Sequence, residues 1–364
     1  MVRRTQATEK RIVAVDIGGT KILAAVGDPC GTIYGRDRCS TPRDCGALEI
    51  FHAVESAVLA AIKKAGLRPR HIAGMAVGIP GVVDYEHGRI VKTPNMPLTE
   101  APLREFLFER FGVPIVLEND CNLGALGEAW LGAGRHCRSV FGVFVGTGIG
   151  SGFVRKRKLW RGARYSAGEI GHMVMQIGGP VCGCGNAGCL EALAGRTAIE
   201  RDIREAVARG EATVLTELLG GDLSVVRSRA LRAALSAADP LVTRVLERAA
   251  DILGAACLSV RHLLDPQRIV LGGGVMEACG DFLMPRIRAV LDADQMRLTK
   301  DPDEVCLSQL GDYAVIVGGM ALAARLCGAN PLKKYPDAEL RVLTSSKRKP
   351  SNPQNESNTR NKAT

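Results

Sequence analysis

Apolar runs broken by glycine turns organise the first 160 residues. Residues 11–26, RIVAVDIGGTKILAAV, predict a strand, a Gly-Gly turn and a second strand, and residues 31–38 predict a third. Leu48, Phe51, Val54, Val58 and Ile62 recur at helical spacing and predict a helix over residues 47–64. Residues 72–79 predict a buried strand that stops at Pro80-Gly81. Residues 113–117 predict a short strand that runs into Glu118-Asn119-Asp120, ahead of a small-residue helix over 123–131. From Val140 the opening pattern returns: apolar residues 140–145, a glycine turn through Gly150, and a strand over 152–160. Two strand–glycine turn–strand units suggest an internally duplicated, two-lobed fold, with coincidence as the alternative for so short a match. Beyond Thr197 the pattern is helical over 198–209 and 241–264, with Asp265-Pro266 as a stop. A strand over 268–271 then enters Gly272-Gly273-Gly274, and residues 314–326 predict a last helix.

Length agrees with two lobes, since 364 residues is long for one simple core. Aromatic residues make up 4%, too few for base-stacking platforms. No apolar run reaches the roughly 18 to 20 residues of a membrane helix, and the polar start lacks a secretory core. A cytoplasmic protein with no membrane partner is expected. The net charge of +10 sits mostly at the ends. Residues 1–11 carry four Lys/Arg against Glu9, and residues 333–364 carry eight against Asp337, Glu339 and Glu356. The body is nearly balanced, so basic disordered tails at 1–11 and 333–364 are expected instead of a nucleic-acid groove.

Five stretches have chemistry to offer. Asp16, Gly18, Gly19, Thr20 and Lys21 occupy a tight link between strands, where glycines let backbone N–H groups approach phosphate oxygens and Asp16 suits Mg²⁺. An ordinary hairpin turn is the plainer reading. Gly146, Thr147, Gly148 and Gly150 offer a second such loop, and Gly272, Gly273 and Gly274 a turn that admits a flat adenosine or merely starts a helix. Asp120, between a strand and a helix, is either a helix N-cap or a base for a sugar hydroxyl. His172, Cys182, Cys184 and Cys189 form H-x9-C-x-C-x4-C, a four-ligand set typical of one structural zinc ion. The remaining nine of twelve cysteines are scattered.

Together these motifs resemble the ROK family (repressors, uncharacterised reading frames and sugar kinases) of the actin-like ATPase superfamily. The most specific stretch is Gly168-Glu169-Ile170-Gly171-His172 followed by C-G-C-G-N-x-G-C-L-E up to Glu191. The resemblance implies a ribonuclease H-like α/β fold with an interlobe cleft. It implies a small lobe over 12–118 completed by a helix near 314–328, and a large lobe over 119–313 with the zinc loop. It implies ATP-dependent phosphorylation of a hexose, glucose first, with Mg²⁺ accompanying ATP, and a homodimer. N-acetylmannosamine, N-acetylglucosamine and fructose remain alternatives, as does polyphosphate as donor. Asp120 matches the base; Gly81, Asn95, Asn119, Glu169, His172 and Glu191 match sugar contacts, His172 serving zinc and sugar together. Pro97-Leu98-Thr99 stands where the family commonly has a tryptophan, which bears on specificity. Only 15 residues precede Asp16, so a repressor with an N-terminal DNA-binding domain is not expected. A non-catalytic sensor is the remaining rival.

Overall fold

The protein is described from a computed structural model covering residues 11–94, 96–296 and 301–343. β1 (Arg11–Ile17) and β2 (Lys21–Gly27) form the hairpin around Gly18-Gly19, and β3 (Thr32–Ser40) extends it antiparallel. α1 (Ala47–Lys64) covers this face with Ile50, Phe51, Val54, Val58 and Ile62. Leu48, expected on that stripe, lies on its flank in the first turn and is exposed. β4 (Ile72–Ile79) joins β1 in parallel. A small hairpin follows, β5 (Val82–Asp84) and β6 (Arg89–Lys92), and α2 (Leu103–Phe111) leads to β7 (Ile115–Asn119), parallel to β4.

α3 (Asp120–Leu131) begins directly where β7 ends, three residues before the apolar pattern predicts. A second sheet follows with β8 (Ser139–Val145), β9 (Ile149–Arg155) and the short β10 (Lys158–Leu159). A helical block packs against it: α4 (Leu190–Ala194), α5 (Arg196–Ala208), α6 (Val214–Leu218), α7 (Ser228–Ser236) and α8 (Pro240–Leu264). β11 (Arg268–Gly272), α9 (Gly274–Asp292) and β12 (Val305–Leu307) complete that half. α10 (Ala314–Leu326), α11 (Pro331–Lys334) and β13 (Arg341–Val342) return the chain to the first sheet.

The two sheets have one topology. The order is β13-β3-β2-β1-β4-β7 in the first and β10-β9-β8-β11-β12 in the second. In each, an antiparallel hairpin borders parallel strands, and the glycine turn of that hairpin sits at the same corner. The repeated pattern in the sequence is therefore a structural duplication, and the fold is the two-lobed actin-like α/β architecture.

Between the sheets, α3 packs on β8 and β9 while α10 packs on β1 and β4, and the two helices pack on each other. Their backbones approach so closely that only glycine fits. A Cβ on Gly318 would lie 1.8 Å from the Leu123 carbonyl oxygen, and one on Gly127 2.1 Å from that of Ala314. This contact fixes α3, and so the first turn that carries Asp120, against both halves of the molecule.

The tails expected at 1–11 and 333–364 are corrected for Arg11, which opens β1, and for residues 333–343. Leu332 is buried, and Arg341–Val342 pairs in parallel with β3, because β3 would otherwise leave an open edge. Asn95, the N-terminal residues 1–10 and residues 344–364 lie outside the described residues. Among the described residues, no helix is long and apolar enough to cross a membrane.

Candidate active site

The first glycine turn is held from below. The Gly18 N–H donates to the Lys21 carbonyl at 2.8 Å, and Thr41 ties the loop through the carbonyls of Gly18 and Thr20. A Cβ at Gly19 would meet nothing within 4 Å, and the same is true at Gly146 in the second turn. Each loop thus presents bare backbone to open space, the surface a phosphate needs. The second loop is held by the start of α5. Arg196 N–H donates to the Gly146 carbonyl, Thr197 bonds the Thr147 carbonyl through both N–H and hydroxyl, and Arg196 Nη2 reaches Thr147 Oγ1 at 2.7 Å. Gly148 is glycine because the Glu191 carboxylate occupies its Cβ position, 2.1 Å away. That carboxylate accepts the Ile149 N–H at 2.9 Å.

Asn119, and not Asp120, is the N-cap of α3. Its side chain accepts from Asn122 N–H at 3.0 Å and donates through Nδ2 to the Gly81 carbonyl at 2.9 Å. Gly81 has φ +105°, and a Cβ there would strike the Lys92 carbonyl. With the cap supplied by its neighbour, Asp120 accepts one bond from Cys121 N–H, 2.8 Å from Oδ1, and keeps its second oxygen for other work. Burial raises its pKa above the ordinary aspartate range, against the pull of that Cys121 bond.

Electrostatics show which groups share the cleft. Burial, then the charge of Asp120, raises Asp16 to about 7; Lys21 opposes the shift and Asp312 adds to it. Glu169 is raised by burial, with Asp120 and Glu191 adding and His172 opposing. Burial pushes the Cys121 thiol well up, reinforced by Asp120, Glu169 and Asp16. Asp16, Asp120, Glu169, His172 and Glu191, far apart in sequence, therefore converge on one acidic site. Like charges gathered and partly removed from water are how a site keeps carboxylates basic enough to take a proton.

Glu169 precedes a single 3₁₀ turn, Ile170–His172, in which His172 N–H donates to the Glu169 carbonyl at 3.1 Å. His172 Nδ1 lies 3.7 Å from Cys182 Sγ, and Cys184 Sγ lies 3.7 Å from Cys189 Sγ. The ligand atoms of all four residues lie within 4.8 Å of one another. Tetrahedral coordination by zinc, with Zn–S of about 2.3 Å and Zn–N of about 2.0 Å, has ligand edges of about 3.5–3.8 Å. The donor set fits such an ion and leaves no room for a disulfide; every cysteine is a free thiol. Burial pushes Cys182 to about 12 and Cys189 upward, a state that a bound divalent cation would reverse.

The third glycine turn has a packing reason of its own. Gly273 caps α9 with φ +84° and presses on the Val145 backbone, while a Cβ on Gly272 would meet the Phe144 ring and Ser308. Gly274 alone faces space, with Ser228 Oγ at 3.6 Å. Sequence reasoning missed Lys21's partner, Asp312, which is paired with it through Nζ. It also missed Arg196 beside Thr147, and Arg161, whose Nε donates to buried Glu118 at 2.6 Å. A glutamate ending an apolar strand, as Glu118 does, was the signal available for the last.

Residues 12–326 match the model of the ROK family. The chain is 31% identical to a glucokinase of Halalkalibacterium halodurans over 86% of this chain and 94% of that protein. It is 27% identical to a xylose repressor of Caldicellulosiruptor bescii, over 85% of this chain and 77% of the repressor. The solved structure of a ROK family glucokinase from Streptomyces griseus, in complex with glucose and AMPPNP, is 32% identical with a TM-score of 0.75, covering 86% of this chain and 99% of that one.

Proposed function

The chain belongs to the ROK family, and from that premise we propose that it phosphorylates a hexose with ATP, glucose to glucose 6-phosphate first. One observation carries the reading: Asp120 is relieved of capping by Asn119, has a raised pKa, and shares one cleft with Asp16, Glu169 and the glycine turns. A sugar hydroxyl set against Asp120 loses its proton to that carboxylate as it attacks the γ-phosphate. The bare backbones at Gly19 and Gly146, with Gly18, Thr20, Thr147 and Gly148 of the same two turns, cradle the triphosphate, and Lys21 neutralises it after leaving Asp312. Gly272–Gly274 borders the adenosine. Asp16 would hold magnesium, whose charge eases transfer when bound.

Glu169, His172, Glu191, Asn119 and Gly81 form the hexose side, with Asn95 assigned to its rim on resemblance alone. Asn119 already spends both ends of its amide inside the protein, so its contact uses the remaining N–H. His172 turns Nδ1 toward the thiols, which leaves Nε2 for the sugar. We assign the His172, Cys182, Cys184 and Cys189 site to one structural zinc per chain, holding His172 in place. Twelve free thiols suit a reducing, cytoplasmic setting. The likeness to a xylose repressor supports one rival, a sugar-binding protein without catalysis. A coupled ADP-release assay over a panel of hexoses separates the two. Turnover with glucose, or with another hexose, supports the kinase; hexose binding without ADP release supports the sensor.

A further inference from the structure

Arg161 joins the two halves of the molecule at a point the phosphoryl-transfer account leaves unused. It follows β10 of the second sheet, yet its Nε donates at 2.6 Å to Oε2 of Glu118, the buried glutamate in β7 of the first. The other oxygen of Glu118 accepts from Asn119 N–H at 3.0 Å and from Asn122 Nδ2 at 2.9 Å. Those two residues begin α3 and hold Asp120 between them. The Arg161 guanidinium also lies 3.7 Å over the ring of Tyr85, in the turn of the β5–β6 hairpin. Four residues later, Tyr165 Oη donates to Glu86 in that same turn at 2.6 Å.

The segment in between is anchored at its base. Ala167 N–H donates to the Arg161 carbonyl at 3.1 Å, and Ser151 of β9 bonds both the Gly168 carbonyl and Ile170 N–H. Gly162 is left-handed at φ +73°, and a Cβ there would press on Ala167. The chain thus leaves the second sheet, crosses to the β5–β6 hairpin, and returns to deliver Glu169 and His172.

We propose that Arg161 is a positioning residue for hexose phosphorylation. It clamps Glu118, which orients the first turn of α3 beneath Asp120, and it pins segment 162–168 to the β5–β6 hairpin. The two sides of the hexose site are thereby held at one spacing. Arginine is required because one planar group both donates to a carboxylate and stacks on an aromatic ring, which an ammonium does not do. Removing it strands a buried carboxylate at the base of the catalytic turn. The proposal rests on the kinase reading for its substrate, while the clamp itself does not.

Two measurements on the full-length, metal-loaded chain test it. In Arg161→Met, hydrogen exchange should speed up about tenfold in peptides covering 118–122 and 82–92, with no change across 146–149. The hexose KM should rise about tenfold or more with ATP KM within about twofold, and Arg161→Lys should recover only part of the loss. Unchanged exchange at 118–122, or hexose and ATP KM moving together, overturns the proposal. Should Arg161→Met fail to fold, Arg161→Lys is read in the same peptides with the same criterion, and Tyr165→Phe should speed exchange in 82–92 alone. A wild-type protein that turns over no hexose sinks the kinase reading, and exchange alone then decides the clamp.

Discussion

Asp16 is held in the folded protein at a stability cost that its replacement by asparagine should release. Burial, with Asp120 nearby, raises its pKa from the ordinary 3.8 to about 7. Between those two values the folded state keeps a proton that the unfolded chain has lost. Stability from this group is therefore fully present below about pH 4, falls by about 1.4 kcal/mol per pH unit as pH rises, and levels off above pH 7. The accumulated penalty is up to about 4 kcal/mol at neutral pH. Asp16→Asn keeps the shape and cannot ionise. Urea unfolding of both proteins, without nucleotide or magnesium, should give nearly equal stability at pH 4 and a variant more stable by a few kcal/mol at pH 7.5. The same variant should lose stabilisation by ATP with magnesium, and most turnover, because the charge that burdens the empty site is the one a cation uses. Stability curves that run parallel from pH 4 to pH 7.5 would refute the argument.

Gly318→Ala places a methyl carbon on the Leu123 carbonyl, so α3 and α10 must separate; the urea midpoint should drop by an amount equivalent to about 3 kcal/mol. Cys184→Ala removes one of the four proposed ligands, and metal analysis should find one zinc per chain in the wild type and little or none in the variant. Its hexose KM should rise at least about tenfold while AMPPNP affinity is kept, because the glycine turns are built on other elements.

Much of the site was legible because it is written in short, contiguous motifs. The turn at Gly18-Gly19, the turn at Gly146–Gly150 and the metal-ligand set each need particular residue types at fixed spacing, and local geometry demands them wherever the chain goes. α1 and α10 were legible for a similar reason, as continuous apolar stripes or runs. What could not be read depends on distant partners. Asp120 and Asn119 both suit an N-cap, and only the folded geometry, in which Asn119 accepts from Asn122 N–H and reaches Gly81 between β4 and β5, shows which one takes it. α2 buries only Leu103 and Leu107, too few to mark a helix. α9 hides behind three glycines and an internal Pro285. The strand at Arg341–Val342 looks like part of a charged tail until the open edge of β3 is known. Arg161 finds Glu118 43 residues away, a pairing that no spacing rule announces.

The central claim is that Asp120 takes the proton from the hexose hydroxyl, and steady-state turnover of Asp120→Asn with ATP and glucose tests it most directly. The account predicts kcat lower by about 10²- to 10⁴-fold, with an unaltered urea midpoint or a modest gain and AMPPNP still bound. An Asp120→Asn protein that phosphorylates glucose at the wild-type rate would contradict it.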